Sequence, residues 1–292
     1  MKRLFVILSG LFLALSASGQ DLPAAWEELT SPDFVKATQK SEGVCIIPMG
    51  VIEKHGPHLP LGTDVFTARA ISLKSASTEY CIVYPFYFAG QIFEAKQQPG
   101  TIAYSPELLY KMLDETCKEI ARNGIKKILL VNGHGGNTNF LQYFCQSQLA
   151  EAKDYAVYLF TPSVDAATRT KITSMRKSTT GGHADEEESS VMMLIKPDLV
   201  KKEQATSQSG VDQNRLQLPN AYTAIWWYAK YPNHYAGDAK DADAELGKVI
   251  FDQRCKQLSE VIKAVKADKI THKLQNDFYQ ESASPQSTKV KP

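Results

Sequence analysis

Four short stretches of the chain are apolar almost without interruption: residues 44–49, 81–88, 128–131 and 156–160. Runs of this length with no polar alternation suit strands buried on both faces, as in a parallel sheet. Between and after them the pattern changes to helical periodicity. Residues 67–79, 106–123, 138–153 and 185–195 read as helices, and 241 to about 269 as a long amphipathic one. The second of these carries its own punctuation, with Ser105 as N-cap, Pro106 in the first turn and Gly124 as the stop. Its buried stripe is expected from Leu108, Met112, Ile120 and Ala121. Strand alternating with helix predicts an α/β fold, with helices on both faces of a mostly parallel sheet.

The ends of the chain are different. Lys2 and Arg3 precede an apolar run over 4–15 and the small residues Ser16, Ala17, Ser18 and Gly19, the three-part layout of a secretory signal peptide. Residues 1–19 are therefore expected to be removed and the mature protein exported, most simply to a bacterial periplasm. A single domain is expected over 20–280, with no internal repeat. The last stretch, 281–292, has almost nothing apolar to bury and is expected to be disordered.

The 292 residues, 43% of them hydrophobic, are enough for a sizeable core. A formal net charge of +1 gives no electrostatic argument for nucleic acid or an anionic membrane surface. After the N-terminal run no segment approaches the length of a membrane span. Five cysteines, odd in number and without tight spacing, read as buried free thiols rather than as a disulfide framework.

Candidate chemistry is concentrated in three places. Glu53, His55 and Asp64 stand within twelve residues, just after the first strand. Carboxylate and imidazole are ligands that zinc and similar divalent ions prefer, and residues at i and i+2 of an extended segment project to the same side. His134, in Asn132-Gly133-His134-Gly135-Gly136-Asn137, follows the third strand. Both clusters thus fall at strand carboxyl ends, where open α/β sheets gather ligands. The third cluster is Gly182-His183-Ala184-Asp185-Glu186-Glu187-Glu188-Ser189-Ser190. His183 and Glu186 are three apart, as on one helix face, and Glu188 points elsewhere. A solvated acidic helix start explains Asp185 and Glu187 equally well.

The stretch from Pro48 to Pro60 with Thr63-Asp64 resembles the signature of the creatininase (creatinine amidohydrolase) family. The clusters at 132–137 and 182–190 resemble its second and third motifs, and Pro99-Gly100-Thr101-Ile102 and Gly237-Asp238 are weaker matches. The resemblance implies a three-layer α/β/α sandwich, two divalent metal ions per subunit (zinc, or manganese in one position) and hydrolysis of a non-peptide C–N bond. By position it makes Glu53, Asp64 and His134 ligands of one ion and His55 and Asp64 ligands of the other, with Asp64 bridging. Creatininase proper carries a glutamate ligand where this chain has Gly136; Glu188 is the candidate replacement. The resemblance further implies a homo-oligomer, a hexamer in this family.

The activity so implied is cleavage of a small cyclic amide or formamide by a metal-activated water. His183 is the expected proton donor to the leaving nitrogen, and Glu186 a second catalytic group. Two other readings fit the same residues: a periplasmic small-ligand-binding protein, and a hydrolase of a C–C or ester bond. His58 reads as fixing its loop. Trp226, Trp227 and Tyr228, with Tyr222 and Tyr231, read either as an aromatic wall over the substrate or as core or subunit interface. His234 could reach a neighbouring site, which the sequence itself does not show.

Overall fold

In the computed structural model, which describes residues 22–288, α1 (Ser31–Lys40) leads into β1 (Val44–Met49). Thr30 caps α1 by accepting from the Asp33 amide. There follow α2 (Thr63–Thr78), β2 (Ile82–Val83), α3 (Pro106–Arg122), β3 (Lys127–Asn132), α4 (Asn137–Ser147) and β4 (Ala156–Phe160). The carboxyl-terminal half adds α5 (Ala166–Met175), α6 (Glu186–Ile195), α7 (Trp226–Lys230), α8 (Ala244–Ala267) and α9 (Thr271–Ser282).

The four strands pair in parallel in the order β2-β1-β3-β4. Alternation along β1 divides the core between two faces. Cys45, Ile47 and Met49 pack with Ala37 of α1, Leu109 and Leu113 of α3 and Phe144 of α4. Val44 and Ile46 pack with Ile71 of α2 and with Leu258 and Ile262 of α8. The result is the expected three-layer α/β/α sandwich. Each fully buried aliphatic side chain contributes about 1.5–3 kcal/mol relative to exposure. In this strand order the chain leaves β1 toward β2 on one side, while β3 lies on the other. The crevice at the carboxyl ends of β1 and β3 is therefore the switch point at which such sheets bind ligands.

Several boundaries differ from expectation. The 81–88 run contributes only Ile82–Val83 to the ladder, because Pro85 has no N–H to donate and the chain turns away there, making one further bridge at Tyr87. On α3 Ile120 and Ala121 are buried as expected, but the first half of the stripe lies one position on, at Leu109 and Leu113, and Leu108 is exposed. Residues 281–288, expected to be disordered, finish α9 at Ser282 and make a 3-10 turn at Pro285–Ser287, with none of these residues buried. A hydrogen bond from Ser282 Oγ to the Tyr279 carbonyl closes that last helical turn. The expected signal peptide lies outside the described residues. No helix among the described residues is long and apolar enough to cross a membrane. All five cysteines are free thiols, four of them buried.

Candidate metal centre

β1 ends at Met49, and the irregular segment after it carries Glu53 and His55 across the top of the sheet. α2 then begins at Thr63 and places Asp64 in its first turn. β3 delivers His134 from the neighbouring strand end. Close packing at two glycines permits this. A Cβ on Gly133 would lie 2.9 Å from the Met49 carbonyl oxygen and 2.7 Å from Ala68 Cβ. A Cβ on Gly50 would lie 2.5 Å from the Val65 amide nitrogen. No larger residue lets α2 sit this near both strands.

Glu53, His55, Asp64 and His134 are all buried and converge. Asp64 presents one oxygen to each imidazole: Oδ1 is 3.0 Å from His55 Nε2, and Oδ2 is 2.9 Å from His134 Nδ1. Glu53 Oε1 lies 2.8 Å from His134 Nδ1 and 3.8 Å from His55 Nε2. The opposite ring nitrogens settle the tautomers. His134 Nε2 is 3.0 Å from the Gln91 carbonyl oxygen, and His55 Nδ1 is 3.3 Å from that of Glu53. A carbonyl only accepts, so those nitrogens carry the protons. When neutral, these rings aim lone pairs at carboxylate oxygens, and Glu53 Oε1 and Asp64 Oδ2 are then buried without a hydrogen bond. Lone pair facing lone pair in a buried site is a donor set made for a cation.

The electrostatics agree. Burial alone would raise the Glu53 pKa, but the imidazoles of His134 and His183, with hydrogen bonds from His134 and His234, hold it well below the usual range. Burial would lower His55, yet the Asp64 and Glu53 carboxylates push it up to about 10. His134 is likewise raised, against burial, by Glu53 and Asp64. With no metal the cluster collects protons; a divalent ion takes their place.

His183 also reaches the site. It precedes α6 on a residue pair where Ala184 takes a positive φ of 54°, and its Nε2 donates to the Lys54 carbonyl at 2.9 Å. Its Nδ1 is then the free nitrogen, 4.0 Å from Glu188 Oε2. Burial, reinforced by His55 and His234, lowers its pKa, so the ring is neutral at neutral pH. His183 also forms a second possible ligand group with Glu53 and His55. Glu188 lines the cavity, but its Oε2 accepts from the Ala184 amide at 2.6 Å and is not among the converged donors.

Glu186 is a correction. Its carboxylate turns away from the centre and accepts from the Lys177 and Ser178 amides at 2.7–3.1 Å. The three-residue spacing from His183 does not apply, because α6 starts only at Glu186 and Asp185 is its N-cap. Glu186 anchors the 177–178 segment.

His234 is the residue that the sequence did not disclose. Its Nε2 donates to Glu53 Oε2 in a short hydrogen bond. Trp227 Nε1 donates to His234 Nδ1 at 2.8 Å, and indole N–H is a donor only. The proton on Nε2 is thus fixed, and Glu53 is held with Oε1 turned toward His55 and His134. The available signal was the pairing of a lone histidine with a donor-only tryptophan seven residues earlier.

His58 is fixed in its loop, as expected, with Nε2 2.8 Å from Ser189 Oγ. Burial, helped by His55, brings its pKa down to about 4, from 6.5 in the unfolded chain. Between these values the unfolded chain binds a proton that the folded chain refuses, so stability rises with pH through this window and is lost as pH falls toward 4. His58→Asn is expected to flatten this dependence by up to roughly 3 kcal/mol, read from denaturant midpoints at constant metal loading. Parallel pH profiles for the two proteins would exclude His58 as the source.

The aromatic segment lies over the centre. Tyr222, Trp226, Trp227 and Tyr228 line a cavity of about 1120 Å³ whose floor holds Glu53, Asp64, His134 and His183. Tyr231 stands behind, its ring 4.9 Å from that of Trp227.

Comparison with known proteins shows the family and the fold. The family model Creatininase, described as creatinine amidohydrolase, matches residues 27–262. A creatinine amidohydrolase of Pseudomonas putida is 27% identical over 119 residues, which cover 39% of this chain and 46% of that protein. This chain thus spans about half the length of that relative. A mycofactocin precursor peptide peptidase of Mycobacterium ulcerans is 27% identical over 248 residues, 82% of this chain and 85% of that one. Among solved structures, a zinc–zinc form of a creatininase variant superposes with a TM-score of 0.71 at 20% identity, covering 84% of this chain and 99% of that one.

Proposed function

The chain belongs to the creatininase family, and from that premise we propose that it is a metal-dependent hydrolase of C–N bonds other than ordinary peptide bonds. The observation that carries this reading is Asp64, one carboxylate set between the lone-pair nitrogens of His55 and His134 at 3.0 and 2.9 Å. Glu53, Asp64 and His134 would hold one divalent ion. His55 and Asp64 would hold the other, with Glu188 the nearest reserve carboxylate on the His183 side. Zinc suits both sites, and manganese could replace it in one. When bound, such a pair supplies a water of lowered pKa and polarises the substrate carbonyl.

The rest of the chemistry falls to the chain. His183 is neutral and anchored through Nε2, so Nδ1 is free to take the proton of the attacking water and pass it to the leaving nitrogen. His234 keeps Glu53 ionised and oriented. The aromatic segment excludes water and seats the substrate body. A protein that only bound its ligand would have no use for a proton carrier at this position, which favours catalysis over binding alone.

Export to a periplasm, assembly as a homo-oligomer and a small-molecule amide substrate complete the reading. Metal-stripped protein is expected to be inactive and to recover turnover of cyclic amides or formamides on addition of zinc or manganese. Hydrolysis that persists unchanged in the chelated protein, or failure to take up either metal, would sink the proposal.

A further inference from the structure

The helix α7 has little of its own to hold it in place. It is five residues long, only Ala229 is buried, and among the described residues none of the five joins an apolar core cluster. A helix this short does not stand by itself. Its last carbonyls are taken by an exposed segment: Arg215 Nε donates to that of Ala229 at 2.8 Å, and the Gln213 amide to that of Lys230 at 2.8 Å. Yet α7 carries Trp226, Trp227 and Tyr228, which line the cavity over the centre.

One inward tie joins this helix to the floor. Trp227 Nε1 donates to His234 Nδ1 at 2.8 Å, and His234 Nε2 donates to Glu53 Oε2. His234 and Glu53 are buried and Trp227 is half-buried. The backbone adds a clamp on the same segment, where the Gly56 amide donates to the His234 carbonyl at 3.3 Å. His234 takes a φ of +49°, in the left-handed region that a glycine adopts without strain. The imidazole supplies what a glycine could not: a rigid bridge with one nitrogen for the indole and the other for the carboxylate. An ion held by Glu53 would fix that carboxylate, and with it the acceptor of His234 and then the acceptor of the Trp227 N–H. In the other direction, an indole in place keeps the proton on Nε2 and Glu53 turned toward His55 and His134.

From this we infer that Trp227 is a positioning residue acting through His234, and that it couples loading of the metal centre to placement of the aromatic segment 226–231. Metal orders the wall, and the wall raises metal affinity by the same factor, since linkage is reciprocal. The inference deepens the metal-dependent reading and rests on it for the ion but not for turnover. Metal-stripped protein is titrated with zinc in chelator-buffered solutions, and backbone hydrogen exchange over 226–231 is followed by mass spectrometry with and without zinc. Trp227→Phe keeps an apolar ring and loses the N–H, and is expected to weaken zinc binding about tenfold. His234→Gly removes the bridge and is expected to weaken it about tenfold to a hundredfold. Adding Trp227→Phe to His234→Gly is expected to change nothing further, because the indole then has nothing to act through. Zinc is expected to slow exchange over 226–231 about tenfold in the wild type and to leave it unchanged in Trp227→Phe.

Circular dichroism checks the fold of each variant; should His234→Gly not fold, His234→Asn takes its place, since asparagine tolerates the same φ. Equal zinc affinity in the wild type and Trp227→Phe overturns the inference. So do losses that add in the double variant, or exchange over 226–231 that ignores zinc, and in each case the metal reading stands. Failure of the wild type to take up zinc overturns both. None of these measurements uses turnover, so a protein that shows the coupling and cleaves nothing upholds the inference and sinks only the hydrolase reading.

Discussion

Asp64→Asn is expected to leave the chain folded yet unable to retain metal, with hydrolysis reduced on the order of a thousandfold, or about 4 kcal/mol of transition-state stabilisation. The substitution is nearly isosteric, so packing around the first turn of α2 is preserved. What changes is the donor set. Oδ1 and Oδ2 face His55 Nε2 and His134 Nδ1, and an amide can offer only one oxygen, neutral, where two anionic ones stood. The NH₂ group would instead donate to one of the imidazole nitrogens, satisfying a lone pair that the ion needs. Elemental analysis after dialysis and circular dichroism test metal and fold separately. Two ions per chain at wild-type affinity in the variant would show that Asp64 does not bridge. Loss of structure would mean that the carboxylate is needed to hold α2 over the carboxyl ends of β1 and β3.

The part of this site that could be read from the sequence is the part built locally on strand ends. Glu53, His55 and Asp64 lie on one excursion from β1, and His134 follows β3 directly, so runs of buried apolar residues were enough to place them. Strands β1 and β4 appear where the apolar runs put them. Elements with little to bury left no comparable mark. Of α5 only Ile172 is buried, and of α9 nothing, so neither produced a periodic stripe. Glu186 was misassigned for a different reason. Helical spacing was applied across a boundary that a positive φ at Ala184 and the Asp185 cap make non-helical. His234 is a long-range contact, 181 positions from its partner Glu53, and no local pattern encodes such a pairing.

The second cluster also divides into what the fold demands and what function demands. Gly133 is required by the approach of β3 to Met49 and Ala68, whereas Gly135 has open space where its Cβ would be. At Gly136 the ends of the Gln91 and Glu94 side chains and His134 Nε2 lie within 2.8 Å of where a Cβ would be. The departure from creatininase proper at this position is therefore not a bare deletion of a ligand. It goes with the side-chain ends of Gln91 and Glu94, from the 91–94 segment, lying where a residue at 136 would extend.

His183→Ala is the substitution that separates a proton carrier from a metal ligand. It is expected to lower kcat by about a hundredfold to ten-thousandfold while bound metal stays unchanged. The geometry favours that outcome. Nε2, 3.9 Å from Glu53 Oε2, is the nitrogen nearest the carboxylate, but its proton is committed to the Lys54 carbonyl. The free nitrogen, Nδ1, looks instead toward Glu188. To ligate an ion beside Glu53 and His55, the ring would have to give up the Lys54 hydrogen bond and carry its proton on the other nitrogen. Retention of metal with loss of turnover, and with the pH dependence of kcat flattened on the acid side, identifies proton transfer, since burial together with His55 and His234 lowers the pKa of this ring. Release of an ion from the His183→Ala protein would instead make His183 a ligand alongside Glu53 and His55. The leaving nitrogen would then need another proton donor, and Glu188, facing the same cavity, would be the first to examine.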